Sequence, residues 1–219
     1  MAEFLRRYTD VLSLLDMLRH NRLTLMSPER WFDQNDSFGM SEFGKRKGEG
    51  SVYALCMTDG KETAHHWQLF AGHSHGLCIQ FDRDEFIDHI SKADKTLLHG
   101  WVQYKNLTEI RELSPIPTDT LPFLKRETFA AEAEYRVVAW EWDILATETY
   151  TVRMPPSLIK KVTLGPTMPE TLARTLKDIA CGQDGCDEIP FAVSRLINNK
   201  SWRTAVLEGL KGNPPSSAS

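Results

Sequence analysis

The sequence predicts a single α+β domain with a mixed, mostly antiparallel sheet and flanking helices. Three observations lead there. Strand-like and helix-like segments mix without a regular βαβ alternation, which argues against a parallel doubly wound sheet. Hydrophobic residues make up 41% and charged residues 26% of the 219 positions, enough to close one full core. No linker-like break divides the chain, so residues 1–211 read as one globular unit, and the Pro/Ser-rich residues 212–219 as a disordered tail.

The elements follow from local pattern. Residues 10–19 repeat Val11, Leu14, Leu15 and Leu18 at helical spacing, and His20-Asn21 closes that helix. Residues 22–26 alternate as a short strand. Ser27-Pro28-Glu29 places a cap, a proline and an acid at a helix start that would carry Trp31 and Phe32. Residues 33–50 turn polar, glycine-rich and basic, and are expected to form a long loop over the surface. Residues 52–57 read as a buried strand. Asp59-Gly60-Lys61-Glu62 fits a capping box for a helix with His65, His66, Trp67 and Phe70, broken by Gly72 and Gly76. Strands are expected at 76–81, 101–104, 150–153 and 159–164. A capping box at Asp82 to Glu85 starts a helix over 86–90, and a capped helix is expected from Thr167 to about Ala180. Residues 114–117 read as a rigid loop and 121–129 as helical.

Bulk properties exclude several classes. A net charge of −4 gives no global basic field for nucleic acid, although Lys45-Arg46-Lys47 forms a local patch. No apolar run is long enough to span a bilayer, and the N-terminus lacks the order of a signal peptide, so a cytoplasmic location with no membrane partner is expected. Cys56, Cys78, Cys181 and Cys186 are expected as reduced thiols. His65 and His66 are adjacent on a helix and point about 100° apart. His73 and His75 lack an identifiable carboxylate or thiolate partner, so no metal site is expected. Walker, dinucleotide-fingerprint, zincin and nucleophile-elbow motifs are absent.

The densest chemistry lies in Ala131-Glu132-Ala133-Glu134-Tyr135-Arg136, followed by an apolar, β-branched run. The segment reads as a strand, on which residues two apart share a face, so Glu132, Glu134 and Arg136 are expected to point the same way. Two adjacent carboxylates repel unless a cation or a proton lies between them.

Several segments together resemble the bacterial family catalogued as domain of unknown function 2971. They are Leu25-Met26-Ser27-Pro28, Trp31 to Asp36, Ala54 to Thr58, Trp67 to Ala71, Gly76 to Phe81, Lys125 with Glu132 to Arg136, and Ile159 to Pro166. The resemblance covers residues 4–180. It departs at Ser74, where many members carry histidine, and at Phe70, where tyrosine is common.

A looser resemblance is to ADP-ribosyltransferases, in which an arginine on the first strand, a Ser/Thr at the end of a middle strand and a later Glu-x-Glu share a site. It implies NAD as the substrate. Glu134 would stabilise the oxocarbenium-like ribose and bind its 2′-hydroxyl. Glu132 would orient or deprotonate the acceptor. Arg6 or Arg7 would hold the phosphates or the adjacent ribose. Thr58 would brace the site, Tyr53 or Trp67 would stack on nicotinamide, and Arg136 joins the cofactor-binding set. By analogy the biology would be a toxin or phage-defence effector acting on a protein or nucleic-acid acceptor, with an antitoxin or regulatory partner. The alternative is a non-enzymatic module that binds a protein or nucleic acid. There the Glu-x-Glu-Tyr-Arg segment is a structural charge network, and Trp31, Phe32 and residues 33–50 capture the partner.

Overall fold

A computed structural model of the chain describes residues 3–71, 75–142 and 148–210. The expectations for Gly72, His73, Ser74 and the tail fall outside these residues. The first strand, β1 (Phe4–Asp10), runs into α1 (Val11–His20), whose amide at Ser13 is capped by the Asp10 carboxylate. Asn21 takes a left-handed conformation (φ 51°) and turns the chain into β2 (Arg22–Met26). Next come α2 (Gln34–Arg46), β3 (Ser51–Thr58), α3 (Ala64–Phe70), β4 (Gly76–Asp82) and α4 (Arg83–Ala93). The second half holds β5 (Leu98–Trp101), β6 (Gln103–Lys105), α5 (Leu107–Glu112), β7 (Leu124–Arg126) and β8 (Glu134–Glu141). It closes with β9 (Thr149–Arg153), β10 (Ile159–Leu164), α6 (Glu170–Cys181), β11 (Phe191–Val193) and α7 (Lys200–Leu210).

Among the described residues nine strands form one sheet. The path runs β11-β10-β4-β1-β3-β2-β9, with β8 on β3 and β5 on β8. All its pairings are antiparallel except β10–β11, while β6 and β7 form a separate parallel pair. The fold is therefore α+β with a mixed, mostly antiparallel sheet. Among the described residues no helix is long and apolar enough to cross a membrane.

The sheet is split at its centre. β1 pairs β4 over seven residues but meets β3 only at Arg6↔Thr58. β2 meets β3 only at Met26↔Ala54, whereas β8 pairs β3 along all eight residues. So β1 and β2 diverge along one edge of β3, and the segment around Cys56 lies between them.

Alternation then sorts the two faces. Leu5, Tyr53, Leu55, Met57, Ile79 and Val137 point into the main core with Leu14, Phe86 and Leu176 from α1, α4 and α6. On the opposite face α2 packs Met40 and Phe43 onto Ala54 and Val138, and α3 packs Trp67 onto Tyr8 and Cys78. Space remains between these two patches.

Several sequence expectations are corrected. Residues 34–46 are helical, because Asp33 caps Asn35 and because Met40 and Phe43 bury completely. A Cβ on Gly44 would stand 2.9 Å from Val52 and 3.0 Å from the Gly50 carbonyl, so this glycine permits close helix–strand packing. The turn after Ser27 is a single 3₁₀ turn that ends before Trp31 and Phe32. The helix at 64–70 is capped by Thr63, not by Asp59. The span 121–129 is two 3₁₀ turns around β7 rather than a helix. The 101–104 strand is interrupted at Val102, whose amide bonds the Glu134 carbonyl at 2.9 Å.

Candidate functional site

The space between α2 and α3 is a cleft of about 550 Å³. β1 contributes Arg6, Arg7 and Tyr8, the open edge of β3 contributes Cys56 and Thr58, and the far wall carries Asp36, Lys125, Glu132, Glu134 and Arg136.

The far wall is a buried ionic network. Arg136, fully buried, donates from Nη1 and Nη2 to both oxygens of Asp36 at 2.7 and 2.5 Å, and from Nε to Glu134 Oε2 at 2.7 Å. It also bonds the Pro122 carbonyl at 2.9 Å and lies over the Trp31 ring at 5.1 Å. Lys125 Nζ donates to Glu132, to Glu134 Oε1 at 2.5 Å, and lies 3.4 Å from Asp36. The Glu134 amide donates to the Tyr104 hydroxyl at 2.8 Å, which pins the start of β8.

Glu132 reaches this network by a route that alternation does not give. It ends a 3₁₀ turn, and Ala133 follows in a left-handed conformation (φ 45°), so Glu132 is not part of β8. The turn bends Glu132 back so that it and Glu134 converge on one ammonium. A left-handed alanine stores backbone strain, and the surrounding bonds must hold it.

Three carboxyls thus face two cations, and one proton balances the set. Burial, then the hydrogen bond with Glu134, raises the Glu132 carboxyl to about 8, against the opposing pull of Lys125. Burial also works against the Glu134 charge, but Arg136, the hydrogen bond from Glu132 and Lys125 outweigh it and hold Glu134 well below the ordinary range. The pair therefore splits into a proton carrier and a fixed anion.

The near wall differs. Arg7 is 8% exposed, and Nη2 donates to the Thr24 carbonyl at 3.3 Å, which bridges the diverging strands β1 and β2. Among the described residues it makes no ion pair within 4 Å, and burial lowers it to about 10 despite Asp10, Cys56 and Asp16. Arg6 sits on the other face of β1 and donates to the Gly60 and Asp59 carbonyls at 3.0 and 3.3 Å. The Thr58 hydroxyl accepts the Gly60 amide at 2.9 Å and so shapes the turn that Arg6 binds.

The structure thus brings Arg6, Arg7, Thr58, Glu132, Glu134 and Arg136 to one cleft. It does not bring Tyr53 or Trp67. Tyr53 points into the main core beside Tyr150, because it alternates with Ala54, which faces α2. Trp67 packs edge-on against Tyr8 and donates to Glu62 at 2.8 Å. The cleft-lining aromatic groups are Tyr8, Trp31, Phe32, His66, Phe70 and Phe129. Sequence reasoning gave no site role to Asp36 or His66. Asp36 meets Arg136 across 100 positions with no local signal. His66 enters the sequence reading only as a metal candidate set aside with His65, and as a helix residue.

No protein-family model matches the chain, so the resemblance to domain of unknown function 2971 is not confirmed, and no curated protein matches it. Among solved structures, the chain is similar to Thermus sp. 2.9 DarT in complex with NAD+ (8% identity, TM-score 0.45, 89% of this chain and 96% of that one). It is likewise similar to Thermus sp. 2.9 DarT in complex with ADP-ribosylated ssDNA (8%, 0.46, 89% and 95%) and with carba-NAD+ (9%, 0.42, 90% and 97%).

Proposed function

We propose that the chain is an NAD-dependent ADP-ribosyltransferase-like enzyme that cleaves the nicotinamide–ribose bond and passes ADP-ribose to a protein or nucleic-acid acceptor. One observation carries the reading: a single cleft opposes two arginines bound only to neutral carbonyls against a wall with two buried glutamates of unequal acidity.

The geometry suits the chemistry at both ends. A dinucleotide brings a pyrophosphate, and a buried guanidinium without a counter-ion gains most from such an anion. The cleft volume lies within the range of ligand sites, about 300–1,000 Å³. Heterolysis sends the C1′–N bond pair to the nicotinamide nitrogen and leaves positive charge on the ribose. The fixed anion of Glu134 favours that charge in a low-dielectric site. The acceptor then attacks C1′ and its proton passes to the ionised form of Glu132, the minor form at neutral pH because its pKa is about 8, so turnover should rise as pH approaches 8. Lys125 keeps the two carboxylates together without either being expelled to solvent. Nicotinamide finds flat apolar walls in Trp31, Phe32 or Phe70.

The test is nicotinamide release from NAD by the purified protein, wild type against Glu134→Gln, with single-stranded DNA, RNA and cell lysate offered separately as acceptors. Release that the variant loses supports the enzyme, and the acceptor that stimulates it identifies the class. No release with any acceptor favours a second reading, a binding module. Two observations would then fit that reading: Arg136 is wholly paired inside the network, and Phe32 is 92% exposed at the cleft rim.

A further inference from the structure

The main chain of Glu134 is held by the segment that precedes α5, and one of the two bonds comes from a side chain. β8 has β3 beside it over its whole length, but its pairing with β5 ends at Trp101↔Tyr135. Glu134 lies one residue beyond that end. Its carbonyl accepts the Val102 amide at 2.9 Å, so its own amide points to the same side, away from β3. Among the described residues β5 offers that amide no ladder partner. The Tyr104 hydroxyl takes its place and accepts the proton at 2.8 Å.

The neighbouring bonds show what this one adds. The Ala133 amide donates to the Ala130 carbonyl at 3.2 Å, and the Ala133 carbonyl accepts the Asp59 amide at 3.3 Å. The strained left-handed Ala133 is therefore held on both sides by main chain, and Tyr104 supplies the side-chain tie next to it. Tyr104 is paired with Lys125 across β6 and β7, and paired residues project to one face. That face meets Glu134 twice, with Lys125 on its carboxylate and Tyr104 on its amide. Burial first, and with it the charges of Glu134 and Glu132, pushes the phenol above its usual value against the pull of the Glu134 amide and Lys125, so the oxygen stays a neutral acceptor. Tyr104 is not among the residues that line the cleft, so it acts from behind the wall.

We propose that Tyr104 is a positioning residue for Glu134: its hydroxyl oxygen anchors the Glu134 amide and so fixes the start of β8, which sets the Glu134 carboxylate between Lys125 and Arg136 with Glu132 beside it. Tyr104 itself touches neither NAD nor the acceptor. The inference rests on the proposed activity only for its kinetic arm.

Tyr104→Phe removes the acceptor and keeps the ring. Tyr135→Phe is the control. It removes a hydroxyl from the next residue of the same strand, one that lies 2.7 Å from His99 Nδ1, on a ring packed in the main core. The experiment measures hydrogen exchange of the Glu134 amide and the carbon-13 carboxyl titration of Glu132 by NMR, with kcat and KM for NAD beside them. In Tyr104→Phe the Glu134 amide should exchange about tenfold faster or more, because its proton has lost its acceptor. The Glu132 midpoint should leave about 8 and move toward the ordinary 4.5 as the pair loosens and water enters. In the same variant kcat should fall about tenfold or more, with KM unchanged. Tyr135→Phe should match wild type in all of these readouts, whatever its melting temperature. Wild-type exchange and an unmoved Glu132 midpoint in Tyr104→Phe would overturn the proposal. Faster exchange with Glu132 and kcat unmoved would overturn it too, since the bond would then hold only the chain. So would losses of kcat in both variants that track their melting temperatures. If wild type releases no nicotinamide, the enzyme reading falls, and the exchange and the Glu132 titration still decide the role of Tyr104.

Discussion

The two walls of the cleft handle buried charge in opposite ways. On the far wall, Asp36, Lys125, Glu132, Glu134 and Arg136 bond one another, and every member has an oppositely charged neighbour. On the near wall Arg7 is almost as buried, yet among the described residues its one hydrogen bond goes to a neutral carbonyl. Burying a cation without an anion costs free energy, which a paired network recovers in part through mutual attraction. The difference teaches where each wall's function lies. The paired wall is built for geometry, fixing where two carboxylates sit and which of them holds a proton. Under the proposed function the unpaired wall serves capture, since the anion it lacks is the one a dinucleotide would bring. Removing a charge should therefore cost stability at the first wall and affinity at the second.

The largest effect is expected for Glu134→Gln. The amide keeps an oxygen for Arg136 but turns its NH₂ toward Lys125, where two donors now meet. Turnover of NAD should drop about a thousandfold, the scale of losing one charge-stabilising group at a transition state. Circular dichroism should remain that of the wild type. Turnover within a few-fold of wild type would remove Glu134 from the chemistry.

Next comes Asp36→Ala, which strips the bidentate partner from a fully buried guanidinium. Breaking a buried pair from one side costs about 3–5 kcal/mol. Urea unfolding should register a loss of that order. The proton balance adds a second readout: with one carboxylate gone, Glu132 should ionise at lower pH to neutralise Lys125 and Arg136. A stability change below about 1 kcal/mol would mean that the network is not structural in the sense argued here.

How much of these walls the sequence could reveal depends on how far apart the partners lie. The strands carrying Thr58 and Glu134 are legible as apolar runs rich in strand-forming residues, whereas β1, which carries Arg6, shows no alternation and is expected only through the looser resemblance. That they pair mostly antiparallel is also legible, from the lack of βαβ units, but their order in the sheet is not. Gly39 and Gly44 mislead in the opposite direction: read as loop signals, they lie in a helix where Gly44 lets α2 approach β3. The Glu132–Glu134 pairing was anticipated on strand geometry and is reached by another, because a left-handed alanine leaves no mark in residue type. Asp36 and Lys125 join Arg136 and Glu134 only through the packing of α2 and β7, which no local pattern records. Of the two aromatic residues expected at the cleft, Tyr53 lies in the main core by the parity of its position on β3, and Trp67 packs from α3 onto Tyr8 and Cys78.

Arg7→Met should produce the mirror image of Asp36→Ala. Its stem can stay packed while an uncompensated charge is removed, so the melting temperature should hold or rise. The KM for NAD should rise about tenfold, roughly 1.4 kcal/mol, with kcat changed less. A matched fall in stability would show that Arg7 braces the split sheet through Thr24 and is no capture group. Unchanged KM with unchanged stability would leave the near wall without its assigned task.

The smallest effect is in the pH dependence of stability, and it isolates the proton that balances the far wall. The folded chain holds the Glu132 proton up to about 8, against 4.5 ordinarily, so it binds that proton more tightly than the unfolded chain does. That contribution is fully present below 4.5 and is lost as pH rises through 8. Glu134 has the opposite sign, because its depressed pKa stabilises above 4.5 and fails on acidification. His66 and His99 are lowered from 6.5 by burial, so they add stability as pH climbs toward 6.5 and are then silent. Buried tyrosines and cysteines act only from pH 9 upward, where their ordinary values lie. Between pH 7 and 8.5 the Glu132 proton thus dominates. Wild-type melting temperature should decline across that interval by a few degrees, roughly 1 kcal/mol for a domain of this size. Glu132→Gln should be flat there. A parallel decline in both proteins would mean that the balancing proton resides elsewhere in the network, and the division of labour between the two glutamates would have to be reversed or abandoned.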